Sequence, residues 1–239
     1  MFHSPLHDCS PASPLYIAHR GAAALAPENT LAAYRAAYAS GLRVLEQDVR
    51  MLADGALAVI HDDSVDRTTN GQGAVASFDS TTWRTLRIDT RRFPDISESI
   101  APPLFDEVLE EFKGRVLFVP EAKSPGSGKA LVHALCRAGI AHDHALVQAF
   151  ALADLAPAIA AGYPAMFLTS TSRDIDAARA MGVAWAGLDR RSPPAVFDAW
   201  REAGFRLIAW TVDDRAERDR LLARGVSGFF SDDPLRLMR

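Results

Sequence analysis

The chain has 239 residues, of which 49% are hydrophobic, and it carries a formal net charge of −4. This length and apolar content suffice for a single α/β barrel or for two small domains. The slightly acidic balance lacks the basic surface typical of nucleic-acid binding, and no apolar run approaches the roughly 20 residues of a membrane span.

The first 14 residues are polar and broken by prolines, and they lack the basic and apolar regions of a signal peptide. Cys9 and Cys136 are far apart and show no metal-binding spacing, so both are predicted to be free thiols. We therefore expect a cytoplasmic protein with a flexible tail over residues 1–14 and one domain over residues 15–239.

Eight short apolar runs alternate with helical patterns along the chain. Several of the helical patterns end at a glycine, which is a common helix stop. Eight strand-then-helix units predict a (β/α)8 barrel of the TIM type. A doubly wound open sheet is the alternative, and it is disfavoured because no glycine-rich nucleotide loop follows the first strand. The predicted strands are Leu15–His19, Arg43–Val49, Arg115–Lys123, Ala145–Phe150, Ala165–Ser170, Ala184–Asp189, Arg206–Val212 and Val226–Ser231.

The second predicted strand is followed by a hairpin rather than by a helix. Asp54-Gly55 stands between two alternating runs, and this dipeptide is a strong hairpin signal. The run Leu57–His61 should therefore return antiparallel, as an arm outside the barrel. A turn centred on Asp54-Gly55 predicts that Asp48 lies opposite His61 across the hairpin.

Residues 62–103 follow the hairpin and are rich in Thr, Ser, Gly, Asp and Arg, with weak periodicity. This segment is too long for an ordinary connection, and such loops are often lids or small inserted subdomains. We predict a small insertion after the second strand.

Three acidic side chains stand near the carboxyl ends of predicted strands, which is the end of such barrels that carries active sites. Glu46 and Asp48 are two residues apart and so point to the same face, and Glu121 follows on the third strand. Three converging carboxylates repel one another, so one divalent cation, Ca²⁺ or Mg²⁺, is predicted between them. An ion-pair cluster with Arg20 and Lys123 is the structural alternative.

Basic and aromatic groups share the same barrel end. His19 and His61 suit general acid–base catalysis, because imidazole gains and loses a proton near neutral pH. Arg20 and Lys123 supply positive charge for a phosphate. Trp210 either packs on a substrate or fills the top of the barrel. A cation, two histidines and two basic side chains together favour phosphodiester cleavage.

The segment PENT, which follows the first strand, has two interpretations. Glu28 and Asn29 could reach the outer shell of the metal site. They could equally cap the first helix and complement its dipole.

The ordered motifs HRG, PENT, E-x-D, DG…V.HD, R.T.G.G and E-x-K, with the closing GVSGFFSDDP, resemble the glycerophosphodiester phosphodiesterases. The resemblance runs from His19 to the C-terminus. It implies a TIM-type barrel and one divalent cation. It also implies hydrolysis of a glycerophosphodiester to an alcohol and sn-glycerol 3-phosphate. The short N-terminal segment and the absence of an evident amphipathic anchor favour small substrates.

The resemblance assigns roles to residues already singled out. His19 and His61 match the family's catalytic pair, and Arg20 and Lys123 match positions near the phosphate. The matches to the metal ligands are Glu46, Asp48 and Glu121.

Three positions depart from the family pattern without removing an expected catalytic group. Gln47 stands where an aliphatic residue is common, and Ala149 stands where Ser is usual. Pro120 precedes Glu121, although a proline removes a donor from a strand.

The sequence leaves several alternatives open. The nucleophile is a neighbouring glycerol hydroxyl or a water, and either histidine could be the acid. A lysophospholipase D-like enzyme would use the same residues, and a barrel that binds a phosphoester or a metal without catalysis is the alternative from another class. The oligomeric state is also left open.

Overall fold

The computed structural model describes residues 2–96 and 99–239. Met1 of the predicted tail and residues 97–98 of the predicted insertion lie outside the described residues. Eight parallel strands close into a barrel with helices between them, which confirms the predicted fold. The first strand closes the barrel, because Ala18 pairs with Leu45 on one side and with Ser231 on the other.

The helices and strands have the following bounds. The strands are β1 (Leu15–Ala18), β2 (Val44–Met51), β3 (Leu57–Val59), β4 (Leu117–Ala122), β5 (Val147–Ala149), β6 (Ala165–Thr169), β7 (Trp185–Asp189), β8 (Arg206–Trp210) and β9 (Val226–Ser231). The α-helices are α1 (Leu31–Ala39), α2 (Ser80–Trp83), α3 (Phe105–Phe112), α4 (Gly128–Arg137), α5 (Leu152–Ala160), α6 (Ile175–Met181), α7 (Pro194–Glu202), α8 (Arg215–Leu222) and α9 (Pro234–Met238).

The first strand ends one residue earlier than predicted, because the chain turns at His19. Arg20 and Gly21 both have positive φ angles, 52° and 85°. A Cβ on Gly21 would lie 2.9 Å from side-chain atoms of Ala33 and Tyr34, so only glycine fits against α1. This turn directs His19 and Arg20 toward the carboxyl end of the barrel.

The arm β3 returns antiparallel as predicted, although it ends at Val59 rather than at His61. The predicted pairing of Asp48 with His61 is wrong by one residue. Ile60 donates its backbone N–H to the carbonyl of Asp48 at 2.9 Å. The reason is the turn, which has three loop residues closed by a backbone bond from Leu52 to Ala56. His61 therefore follows the last hydrogen-bonded residue of the hairpin, Ile60, and reaches the cavity from there.

Side chains of β2 alternate between the barrel interior and the surrounding helices. Val44 packs in the apolar cluster inside the barrel, and Glu46 and Asp48 follow it at intervals of two. The period of the strand thus carries both carboxylates into the interior.

The N-terminal segment packs beneath the barrel. Leu6 and Cys9 are buried against the interior cluster, and the Cys9 thiol donates to the carbonyl of Ser227 at 3.1 Å. The Arg206 guanidinium donates to the carbonyl of Leu6 at 3.0 Å. The division into a tail over residues 1–14 and one domain over residues 15–239, with an insertion over residues 62–103, stays a proposal.

No helix within residues 2–96 and 99–239 combines the length and apolar character required to cross a membrane.

β4 tolerates Pro120 because of the direction in which the backbone N–H groups of this strand alternate. Leu117 donates its backbone N–H to the carbonyl of Arg43, and Lys123 donates to that of Val49. The odd-numbered residues of β4 therefore donate toward β2, so the donor that Pro120 lacks is on the side of β5. The ladder that holds Glu121 beside Asp48 remains intact.

Gln47 provides a test of the core. It is fully buried, its Nε2 donates to the carbonyl of Leu45 at 2.8 Å, and its Oε1 has no partner among the described residues. We expect Gln47→Leu to raise the free energy of unfolding by about 1 kcal/mol, because it removes an unsatisfied buried acceptor. Urea denaturation would measure the change. Gln47→Ala, which leaves a cavity, should lower stability instead, and a loss in Gln47→Leu would contradict the prediction.

Candidate active site

One cavity opens at the carboxyl ends of the strands, where the fold predicts an active site. The turn after β1, the strands β2, β4 and β8, and the residues that follow β3 and β4 contribute its walls. All the candidate residues line it, namely His19, Arg20, Glu46, Asp48, His61, Glu121, Lys123 and Trp210. The structure brings the whole predicted set together, and the role of each residue stays a prediction.

A buried acidic triad lies at the centre of the cavity. One carboxylate oxygen from each of Glu46, Asp48 and Glu121 lies within 4.8 Å of the other two. Their relative exposures are only 1%, 1% and 7%. Gln148 lies beside them, with its Nε2 3.4 Å from an oxygen of Glu46 and its buried Oε1 without a partner among the described residues. Hard oxygen donors in this number suit Ca²⁺ or Mg²⁺.

Burial and mutual repulsion make it unfavourable for all three carboxyl groups of the triad to be ionised at once. Burial and the neighbouring Asp48 raise the pKa of Glu46 well above its ordinary value, and they raise the pKa of Glu121 to about 7. Burial would also raise the pKa of Asp48, but Lys123 and Arg20 outweigh it and hold that pKa below its ordinary value. A bound cation would relieve the repulsion among the three acids, so the residues present fit a metal site.

The two basic residues pair with the triad. Lys123 Nζ lies 3.1 Å from an oxygen of Glu121 and 3.5 Å from one of Asp48, and Arg20 Nε lies 3.4 Å from the other Asp48 oxygen. The ion-pair alternative is therefore present in the structure. However, Arg20 is shared with a fourth carboxylate, Glu28, at 2.9 Å. Arg67 also binds Glu28, so four acids face three basic side chains, and the excess of acids favours a cation as well.

Each cavity histidine has a carboxylate behind it. His19 Nδ1 lies 2.7 Å from Asp232 Oδ1, and His61 Nδ1 lies 2.8 Å from Asp62 Oδ1. An ionised carboxylate only accepts hydrogen bonds, so each Nδ1 carries the hydrogen and each Nε2 is left for other partners. Burial lowers the pKa of His61, which favours its neutral form.

Asp232 is a site residue that the sequence analysis did not single out. It follows β9 directly, and it meets His19 because β9 pairs with β1. The closing SDDP motif was the available signal, although the motif alone does not show which side chain it contacts.

The structure separates the two interpretations of PENT. Thr30 caps α1 by accepting from the backbone N–H of Ala33 at 3.1 Å. Asn29 donates to Asp48 at 2.8 Å and accepts from the Tyr34 hydroxyl at 3.0 Å. Glu28 and Asn29 therefore contact the groups around the triad, and the capping role belongs to Thr30.

Trp210 combines both predicted environments. It lines the cavity, it packs partly against the interior cluster, and its Nε1 donates to the carbonyl of Gly187 at 3.1 Å. Phe150 meets it edge-to-face, with ring centroids 5.8 Å apart, and is itself 52% exposed. The two rings form an apolar part of the cavity wall.

Comparison with known proteins shows which family and which solved structures the chain is similar to. The model of the glycerophosphoryl diester phosphodiesterase family matches residues 19–236. A glycerophosphodiester phosphodiesterase of Caldanaerobacter subterraneus subsp. tengcongensis is 30% identical over 238 residues, covering 94% of this chain and 96% of that protein. One from Bacillus subtilis is 26% identical, covering 94% and 85%. The crystal structure of a glycerophosphodiester phosphodiesterase from Agrobacterium tumefaciens superposes with a TM-score of 0.78 at 27% identity, covering 94% and 98%.

Proposed function

The chain belongs to the glycerophosphoryl diester phosphodiesterase family and is therefore a phosphoric diester hydrolase, and we propose that it works with a divalent cation and two histidines. The substrate is a small glycerophosphodiester, and the products are an alcohol and sn-glycerol 3-phosphate. The observation that carries the proposal is the buried acidic triad flanked by two histidines, each with its Nδ1 bound to a carboxylate.

Glu46, Asp48 and Glu121 would hold the cation. The bound cation supplies Lewis acidity and a template for the substrate's oxygens. Asn29 orients Asp48 through the 2.8 Å hydrogen bond. Because Asn29 is held in turn by the buried Tyr34 hydroxyl, it supports the ligand from behind.

The histidines move the protons. One Nε2 accepts the proton of the attacking oxygen, which belongs to a water or to the neighbouring glycerol hydroxyl. The other histidine, protonated on both ring nitrogens, gives its Nε2 proton to the leaving alkoxide. If the glycerol hydroxyl attacks, a water then opens the cyclic phosphate to give glycerol 3-phosphate. Asp62 and Asp232 fix the tautomers, because each holds the Nδ1 hydrogen of its histidine. Arg20 and Lys123 line the same cavity and stabilise charge on the phosphoryl oxygens.

A product assay tests this function directly. We expect the release of glycerol 3-phosphate from short glycerophosphodiesters with several head groups, and only when a divalent cation is present. Micellar lysophospholipids form the comparison, and faster turnover of these would favour the lysophospholipase D-like alternative. Binding of a glycerophosphodiester without any product would contradict the proposal and favour a non-catalytic barrel.

A further inference from the structure

A single arginine of the insertion holds two carboxylates beside the active site. Arg67 donates from Nε and one terminal nitrogen to the two oxygens of Asp62, at 2.6 and 3.1 Å. It donates from both terminal nitrogens to the two oxygens of Glu28, at 2.9 and 2.8 Å. All three guanidinium nitrogens are therefore engaged, in two bidentate contacts.

Both carboxylates also contact residues that line the cavity. Asp62 shares its Oδ1 with His61, 2.8 Å away, and Glu28 accepts from Arg20 at 2.9 Å. Arg67 thus lies one carboxylate away from His61 in one direction and one carboxylate away from Arg20 in the other. The five side chains form a row that alternates between acid and base.

Arg67 keeps the two acids charged and close together. Its hydrogen bonds hold the pKa of Asp62 far below the ordinary value. Burial would raise the pKa of Glu28, but the bonds from Arg67 and the charge of Arg20 lower it. Without Arg67, the two carboxylates would lose the one guanidinium that they share, and their mutual repulsion would rise. Each acid would then hold its own partner less firmly.

The contribution of Arg67 to the stability of the whole fold should be small. Its side chain is 47% exposed, and ion pairs at such sites contribute little to the free energy of unfolding. Its geometry matters instead, because the planar fork can serve two carboxylates at once, whereas a lysine ammonium cannot.

We propose that Arg67 is a positioning residue, which orients His61 through Asp62 and Arg20 through Glu28. In this way the packing of the insertion against the barrel sets the orientation of the His61 imidazole and of the Arg20 guanidinium. The inference rests on the proposed function, since it assumes that His61 and Arg20 act on the substrate.

The insertion offers a matched control in Arg84. It is 54% exposed and donates to Glu107 of α3 at 2.6 Å, so it also ties the insertion to the barrel by a salt bridge. Neither Arg84 nor Glu107 lines the active-site cavity. A general effect of loosening the insertion should therefore appear in Arg84→Met as well as in Arg67→Met.

Steady-state kinetics on a short glycerophosphodiester with saturating cation would test the proposal. We expect Arg67→Met to lower kcat about 10- to 100-fold with little change in KM, the range typical when an orienting group behind a site residue is lost. Arg67→Lys should show a smaller loss of kcat than Arg67→Met. The kcat of Arg84→Met should stay within about twofold of the wild-type value. Both methionine variants should unfold at similar temperatures. Equal kinetic effects of Arg67→Met and Arg84→Met would overturn the proposal.

A double-mutant cycle separates positioning from a merely structural role. If Arg67 acts in part through Asp62, combining Arg67→Met with Asp62→Asn should cost less than the product of the two single losses, because both changes remove the same support of His61. Combining Arg84→Met with Asp62→Asn should multiply the single effects. Multiplicative losses in the first pair would exclude the path through Asp62.

The variant His61→Ala distinguishes the two levels of inference. If it is inactive while Arg67→Met matches the wild type, the proposed function stands and the role of Arg67 is refuted. If it is fully active, the proposed role of His61 fails, whatever Arg67→Met shows.

Discussion

Replacing either cavity histidine with alanine should lower the turnover of a glycerophosphodiester by about 10²- to 10⁴-fold, the usual contribution of a general acid or base. The reason is geometric. His19 and His61 line the same cavity and each has its Nδ1 bound to a carboxylate, so one can accept a proton while the other donates one. The release of glycerol 3-phosphate, measured under saturating substrate, would give the loss in kcat.

The control for this prediction is His133→Ala. His133 is exposed on α4 and does not line the cavity, so its removal should leave turnover unchanged. Circular dichroism would verify that all three variants keep the fold. Wild-type activity in either His19→Ala or His61→Ala would refute the acid–base assignment.

Removing divalent cations should abolish activity, and adding Ca²⁺ or Mg²⁺ should restore it. Glu46, Asp48 and Glu121 are too buried and too close together to carry three charges comfortably without a cation. Chelation followed by titration of each ion, with the product assay as readout, would measure the effect. Full activity of a preparation shown by elemental analysis to be metal-free would contradict it.

Binding can be measured without turnover. A cation at about 100 times its dissociation constant should stabilise the fold by about 2.7 kcal/mol, visible as a higher melting temperature. The variant Asp48→Asn should lose this stabilisation, because it removes a charged ligand from the middle of the triad. The matched variant Asp54→Asn, in the exposed hairpin turn, should keep it.

Metal binding should also release protons below neutral pH. The pKa of Glu121 is raised to about 7, so below that pH the carboxyl holds a proton that a cation must displace. We therefore expect affinity to increase as the pH rises from 6 to 8. Calorimetry in two buffers with different protonation enthalpies would detect the released protons.

The barrel itself was predictable because its evidence is local. Strand-then-helix alternation needs only short windows of sequence, and a period of two is enough to place Glu46 and Asp48 on one face. The same reasoning predicted that His19 and Glu121 would share the carboxyl end. Every candidate site residue therefore came from the ends of strands or of the hairpin arm.

The register of the hairpin was not predictable in this way. Asp54-Gly55 is compatible with a two-residue or a three-residue loop, and the two differ by one position in the pairing. Only the backbone bond between Leu52 and Ala56 identifies the longer loop. The one extra loop residue places Ile60, rather than His61, opposite Asp48.

The supporting residues depend on contacts between distant parts of the chain. Asp232 is 213 residues from His19 in sequence, and Arg67 is 39 residues from Glu28. No periodicity connects such pairs, and each exists because two separately predicted pieces dock. Sequence patterns therefore identify candidate reacting groups more readily than the residues that contact those groups.

The closure of the barrel has a consequence for biosynthesis. A nascent polypeptide that has reached only residue 200 already contains both histidines and all three acids, yet it lacks β9, the neighbour of β1. It also lacks Asp232, so His19 has no carboxylate behind its Nδ1. Because β9 closes the barrel against β1 and Asp232 binds the Nδ1 of His19, we expect catalytic competence only after residues 226–232 have been synthesised.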